Sequence, residues 1–180
     1  MQPFWDRADA LAGSECDRAI ALAQAGLLQP ALVFGQDGYA PNPSVRQVDT
    51  SFHARSSETG WLFDIVDGLF AEAAQAMGVS VAPMREDLQI LRYRPGNHFQ
   101  MWHSDAGHDL HGARTLSISI ELSEAGDYDG GDLEIVPHAL KRTRPLRRGA
   151  ARIFPSQALH RVTPVTRGTR WALVNWTGSA

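Results

Sequence analysis

The sequence predicts a mostly β protein, a double-sheet jelly roll with helices flanking it on the N-terminal side, on three observations. From Asp87 onward the chain breaks into short segments rich in β-branched and apolar residues, at 88–93, 99–103, 115–122, 132–136, 151–154, 161–165 and 170–176. Two further segments, 31–34 and 45–52, bring the number of strands to the eight or nine that two packed sheets require. Helical periodicity is confined to the part of the chain before Gly78.

In chain order, Ser14 with Asp17 three residues later reads as a helix cap, followed by an alanine-rich segment carrying Ile20 and Leu22 that Gly26 ends. Between Glu58 and Met77, Trp61, Leu62, Ile65, Val66, Leu69, Phe70 and Ala73 recur at steps of three and four, and Gly78 stops the pattern. Such a stripe packs against the outside of a sheet. Gly130-Gly131 is a turn between strands and no phosphate loop, since no helix bearing Lys-Ser/Thr follows it.

Composition bounds the function. A chain of 180 residues with 43% hydrophobic content buries one sizeable core, so one domain is expected. A net charge of −3 offers no footprint for nucleic acid, and the basic run Lys141-Arg-Thr-Arg144 with Arg147-Arg148 reads as a solvated hairpin edge. Cys16 is the only cysteine and reads as a packed thiol, so no intrachain disulfide is possible. No apolar stretch approaches membrane-spanning length, and the N-terminus lacks the pattern of a secretory leader; a cytoplasmic protein without a membrane partner is expected.

The chemistry is concentrated in His103-Ser-Asp105 and in His160 of Ala-Leu-His160-Arg-Val. In a strand, residues i and i+2 share a side, so His103 and Asp105 can reach one metal while Ser104 faces away. A third ligand comes from a strand distant in sequence and adjacent in space, and His160 opens such a segment. Two imidazoles and one carboxylate hold one face of a non-haem Fe(II) and leave the opposite positions open for a co-substrate and O2. Around these ligands stand Tyr93, ten residues before His103, the run Arg114–Leu122, Tyr128-Asp-Gly-Gly-Asp-Leu-Glu-Ile135, Gly149-Ala-Ala-Arg-Ile-Phe-Pro155 and, ten residues after His160, Arg170.

This ordered set, spread from Asp87 to Trp176, resembles the 2-oxoglutarate and Fe(II)-dependent dioxygenases, specifically the prolyl 4-hydroxylase-like branch with its bacterial PKHD-type hydroxylases. The resemblance implies a cupin-like double-stranded β-helix: one dioxygenase domain over 1–180, with helical support over about 1–86 and the β-helix core over about 87–180. It implies His103, Asp105 and His160 as catalytic metal ligands, Fe(II) and 2-oxoglutarate as cofactor and co-substrate, and ascorbate as the reductant. It places the far carboxylate of 2-oxoglutarate on Arg170, whose guanidinium can meet it with two parallel hydrogen bonds. Tyr93, Leu133, Val162 and Trp176 fall at positions that line the co-substrate pocket, with Ala172 and Val174 on the same face of the last strand as Trp176.

The implied reaction is hydroxylation of a substrate C–H bond coupled to decarboxylation of 2-oxoglutarate to succinate and CO2, with a protein or peptide residue as substrate. The alternatives are a hydroxylase of a free amino acid or small metabolite, and a non-catalytic metal-binding jelly-roll sensor; the intact triad with Arg170 argues against the sensor. The oligomeric state is not legible. In animal relatives a tyrosine on the strand after the HxD motif assists the arginine, whereas Glu121 is the nearest match here, preceded by Ser117 and Ser119. A carboxylate beside an anion is unfavourable, so Glu121 is expected to face outward, or the register slips there, and it is left out of the site. His108 and His111 are expected on an active-site loop, His53 and His98 as non-ligands, and Arg46 and Trp61 in structural roles.

Overall fold

The computed structural model describes residues 4–35, 38–84, 86–106, 114–136 and 146–178. The predicted run Lys141–Arg144, and with it His108 and His111, lies outside them. The elements of the N-terminal part are β1 (Trp5–Arg7), α1 (Gly13–Ala25), β2 (Gln29–Pro30), β3 (Val33–Gly35), β4 (Gly38–Ala40), β5 (Arg46–Gln47), β6 (Asp49–His53) and α2 (Gly60–Met77). There follow β7 (Leu88–Tyr93), β8 (His98–His103), β9 (Arg114–Glu121), β10 (Tyr128–Gly130), β11 (Leu133–Ile135), β12 (Ala151–Pro155), β13 (His160–Val162), β14 (Val165–Gly168) and β15 (Arg170–Gly178).

Two antiparallel sheets make the jelly roll. The larger runs β1-β12-β9-β15-β7-β6-β2 and the smaller β11-β13-β8-β5, with the pairs β10-β14 and β3-β4 beside them. Two segments expected as single strands are each divided between sheets. The 45–52 segment gives β5 to the smaller sheet and β6 to the larger, turning at Val48. The 161–165 segment is cut at Pro164, which has no N–H for a ladder, so β13 pairs in the smaller sheet while β14 pairs with β10.

Strand alternation divides the larger sheet into two faces. Leu88 and Ile90 of β7, Ile153 of β12, and Trp171 and Leu173 of β15 join one apolar cluster with Leu62, Val66, Phe70 and Ala73 of α2 and with Cys16 and Ala19 of α1. The stripe on α2 is therefore core; each fully buried Leu, Val or Phe there contributes about 1.5–3 kcal/mol. The first helix begins one residue before Ser14, which is no cap: Ala12 precedes the helix, and its N–H donates to Glu15 Oε2 at 2.7 Å. Glu15 thus makes the half of a capping box that serves the N-cap N–H, while Ala12 has no side-chain oxygen for the other half. No helix of the described residues is long and apolar enough to cross a membrane.

The turn that delivers β15 depends on one glycine. Gly168 has φ +73°, and a Cβ there would lie 1.8 Å from the Asp127 carbonyl oxygen. Gly168→Ala combines a left-handed backbone with a clash against main chain, together costing about 3 kcal/mol. Thermal unfolding is expected to shift down by roughly 6–12 °C; an unchanged midpoint would mean that the β14–β15 turn relaxes freely.

Candidate active site

Between the inner faces of the two sheets lies a cavity of about 870 Å³, open on one side. His103 ends β8 and His160 begins β13, and the antiparallel ladder sets the two opposite each other. Strand β8 stops at His103, so Asp105 is not held by a ladder. Its N–H donates to the Ser156 carbonyl at 2.9 Å instead, as does the Ser104 hydroxyl at 2.9 Å, which pins the backbone just past the strand. His103, Asp105 and His160 each offer a ligand atom, and the three atoms lie within 4.8 Å of one another.

The imidazoles are oriented from behind. Nδ1 of His103 lies 2.9 Å from the Met101 carbonyl and Nδ1 of His160 lies 3.0 Å from the Ala158 carbonyl. A carbonyl only accepts, so both Nδ1 atoms carry the proton, and Nε2 is the atom that presents the lone pair of the neutral ring. Those Nε2 atoms converge on the carboxylate, 3.9 Å from Asp105 Oδ1 for His103 and 3.4 Å from Oδ2 for His160. The Ser117 hydroxyl donates to Asp105 Oδ2 at 2.7 Å and lies 2.9 Å from Ser156 Oγ.

Electrostatics favour a cation at the point of convergence. Burial, with repulsion from His160 behind it, lowers the His103 pKa to about 4, so its ring stays neutral and able to ligate. Burial alone would raise the Asp105 carboxyl, but the favourable electrostatics of His160 and then His103, with hydrogen bonds from Trp176 and Ser117, outweigh it and hold it below its ordinary range. The donor set of two neutral imidazoles and one carboxylate fits a divalent non-haem iron, with one face left to the cavity.

Arg170, Tyr93, Leu133, Val162 and Trp176 all line this cavity, and so do Ala172 and Val174. Tyr93 is 1% exposed, a wall residue rather than a sheet-rim residue. Leu133 and Val162 face each other across the β11–β13 ladder. Arg170 is buried, with its guanidinium 5.4 Å from the Tyr93 ring centroid, while Arg167 is exposed and paired with Asp129.

Glu121 does not face outward. It is 2% exposed, and its Oε2 accepts from Arg170 Nε at 2.8 Å while its Oε1 accepts from the Ser123 N–H at 3.2 Å. It stands behind the arginine, away from the cavity wall, so it compensates Arg170 without occupying space beside an incoming anion. Burial alone would lower the Arg170 pKa; Glu121 and then Tyr128 and Tyr93 more than offset it and keep the guanidinium protonated. Gly131, with φ +66°, makes room for this arginine: a Cβ there would lie 3.1 Å from Arg170 Cδ.

Three further positions differ from the sequence reading or were missed by it. Arg46, expected to be structural, lines the cavity, whereas Trp61 packs at the edge of the helical core as expected. Ser117 and Ser156, which anchor Asp105, carry only a weak signal: polar residues inside otherwise apolar strands. His98 is buried and takes the Gln100 N–H, and His53 meets the Ser51 hydroxyl; neither joins the cluster.

Residues 88–178 match the profile of the 2OG-Fe(II) oxygenase superfamily. The chain belongs to that superfamily. Among curated relatives, a PKHD-type hydroxylase of Synechococcus sp. (strain CC9902) is 38% identical over 133 residues, covering 73% of this chain and 57% of that protein. A PKHD-type hydroxylase of Idiomarina loihiensis is 36% identical over 91 residues, covering 50% of this chain and 41% of that one. The chain thus spans about half the length of the curated relatives it matches. Among solved structures, a Pseudomonas putida prolyl-4-hydroxylase superposes with a TM-score of 0.76 at 19% identity, over 100% of this chain and 94% of that one. A Trichoplax adhaerens prolyl hydroxylase, solved with a hypoxia inducible factor peptide fragment, gives 0.77 at 17% identity, over 98% and 84%. At these identities the superfamily fold is what the structures share.

Proposed function

We propose that the described chain is the catalytic domain of a 2-oxoglutarate-dependent hydroxylase. His103, Asp105 and His160 hold Fe(II), Arg170 receives the far carboxylate of 2-oxoglutarate, and a C–H bond of a protein or peptide residue is hydroxylated. The observation that carries this reading is the convergence of the three ligand atoms on the wall of a cavity that a buried arginine also lines. The names of the prolyl hydroxylase neighbours support a peptide as substrate.

When bound, Fe(II) supplies activation of O2, coupled to decarboxylation of 2-oxoglutarate to succinate and CO2. The protein supplies placement. Both Nδ1 protons are tied to main-chain carbonyls, which fixes the rings with Nε2 forward, and Asp105 contributes the negative charge that offsets the metal's. Arg170, clamped through Nε, presents a fixed cation in a low-dielectric wall, where a charge-assisted pair with a carboxylate is strongest. Leu133, Val162, Ala172 and Val174 add an apolar stretch of wall that helps exclude water from the reacting atoms.

The test is succinate formation from 2-oxoglutarate by the Fe(II)-loaded protein in air with ascorbate, first alone and then over a library of peptides and metabolites. Slow uncoupled turnover, accelerated by a subset of the library, is expected. An iron-loaded preparation that forms no succinate under any of these conditions would favour the metal-binding sensor.

A further inference from the structure

Arg46 is a cavity residue for which the proposed chemistry has no use. It sits on β5 opposite Phe99 of β8, with its guanidinium 5.0 Å from the Phe99 ring centroid. Phe99 in turn stacks on His103, with centroids 3.6 Å apart and planes 13° apart, so Arg46 stands one aromatic ring away from the metal cluster. Its Nε is buried without a hydrogen-bond partner, and among the described residues no hydrogen bond or ion pair reaches its side chain.

Its neighbours behave differently. Arg92 is paired with Asp49, Arg114 with Glu86, Arg161 with Glu134 and Arg170 with Glu121. Burial lowers the Arg46 pKa, opposed by the charges of Tyr93 and Asp105, neither of which is bonded to it. A charge without a partner among the described residues is costly in such a place, and a cavity retains one where a ligand completes it. A guanidinium selects planar anions and matches a carboxylate with two parallel bonds.

The rest of the cavity describes the body attached to that anion. Leu32, Tyr39, Phe52 and Met101 line its mouth and are each about half exposed. The volume of about 870 Å³ lies near the top of the range of roughly 300–1,000 Å³ for small-molecule pockets, leaving room for a second molecule beside a five-carbon diacid. We propose that Arg46 binds a carboxylate of the primary substrate, which is an apolar acid lying with its charged end near the metal centre and its apolar end at the Leu32–Tyr39–Phe52–Met101 mouth. This rests on the hydroxylase reading but not on its peptide substrate: the acid is either the C-terminal residue of a peptide or a free small molecule.

Octanoate and octanamide, equal in length and different in charge, serve as probes. They are titrated calorimetrically under nitrogen into the protein carrying Fe(II) and 2-oxoglutarate, and again into metal-free protein. Octanoate is expected to bind at least about tenfold tighter than octanamide in both. Arg46→Met should bring octanoate down to the level of octanamide, with 2-oxoglutarate affinity retained, and Arg46→Lys should restore part of the preference. The thermal midpoint of Arg46→Met should not fall, because the variant removes a half-buried charge that has no ion-pair partner among the described residues; a purely structural arginine would lower it. Equal binding of the two probes to the native protein overturns the proposal, and so does an Arg46→Met variant that keeps the preference or that loses 2-oxoglutarate as strongly as octanoate. Because selectivity is also read without metal, failure of the iron reading shows up separately, as absence of metal binding. A short leucine-ended peptide, with free or amidated C-terminus, distinguishes the sources: a preference for the free end assigns the site to peptide termini, and its absence alongside octanoate binding assigns it to free acids.

Discussion

His160→Ala is expected to abolish Fe(II) binding, with affinity falling by at least about 100-fold and turnover falling with it. The weak visible charge-transfer band that forms under nitrogen with Fe(II) and 2-oxoglutarate should vanish in this variant and in His103→Ala. The two imidazoles are the neutral donors of the set, and one imidazole with the carboxylate no longer caps a face of a divalent ion that water competes for. The supporting hydroxyl grades the effect: Ser117→Ala removes the donor to Asp105 Oδ2 and should weaken metal binding by about 10–100-fold without eliminating the band. The measurement is made at neutral pH, where His103, its pKa lowered to about 4 by burial and by His160, is unprotonated in the native fold. A band that survives both histidine substitutions would move the metal elsewhere in the chain.

What could be read from the sequence follows from which interactions are local. The α2 stripe is a one-residue-in-three-or-four pattern along a single element, and it places Leu62, Val66 and Phe70 in the core without any knowledge of the partner. The alternation of Arg170, Ala172, Val174 and Trp176 is equally local, and these residues share the cavity face of β15. Glu121 was misjudged because its partner is decided across the sheet: a buried carboxylate looks prohibitive until Arg170 is seen on the neighbouring strand, approaching through Nε from behind the cavity. The place of Arg46 on the cavity wall is likewise not local, since nothing in the sequence distinguishes an arginine with a carboxylate partner from one that has none among the described residues. The division of 45–52 and of 161–165 between sheets depends on where the jelly roll turns its corners. Pro164 marks one of those corners in the sequence, and Val48 leaves no mark at the other.

Arg170→Met should have two effects of different origin, and a second substitution separates them. The fold loses the charged partner of a buried carboxylate: Glu121 is left with the Ser123 N–H and the Tyr128 hydroxyl, and breaking a buried pair from one side costs about 3–5 kcal/mol. The pocket loses its fixed cation, so the apparent 2-oxoglutarate constant should rise by more than about tenfold while Fe(II) binding persists, since none of the three ligand residues is touched. Arg170→Lys should recover only part, one point charge replacing a planar fork. Adding Glu121→Met to Arg170→Met replaces the buried pair with apolar side chains of similar volume, a change that is often neutral for stability. The double variant is therefore expected to regain most of its thermal stability and none of its 2-oxoglutarate affinity. Arg167→Met, which removes exposed contacts to Asp129 and to the Gly126 carbonyl, should change both quantities little. If the double variant recovered 2-oxoglutarate binding together with its stability, the weakened binding of Arg170→Met would reflect a distorted wall, and the co-substrate carboxylate would have to be assigned to another cation.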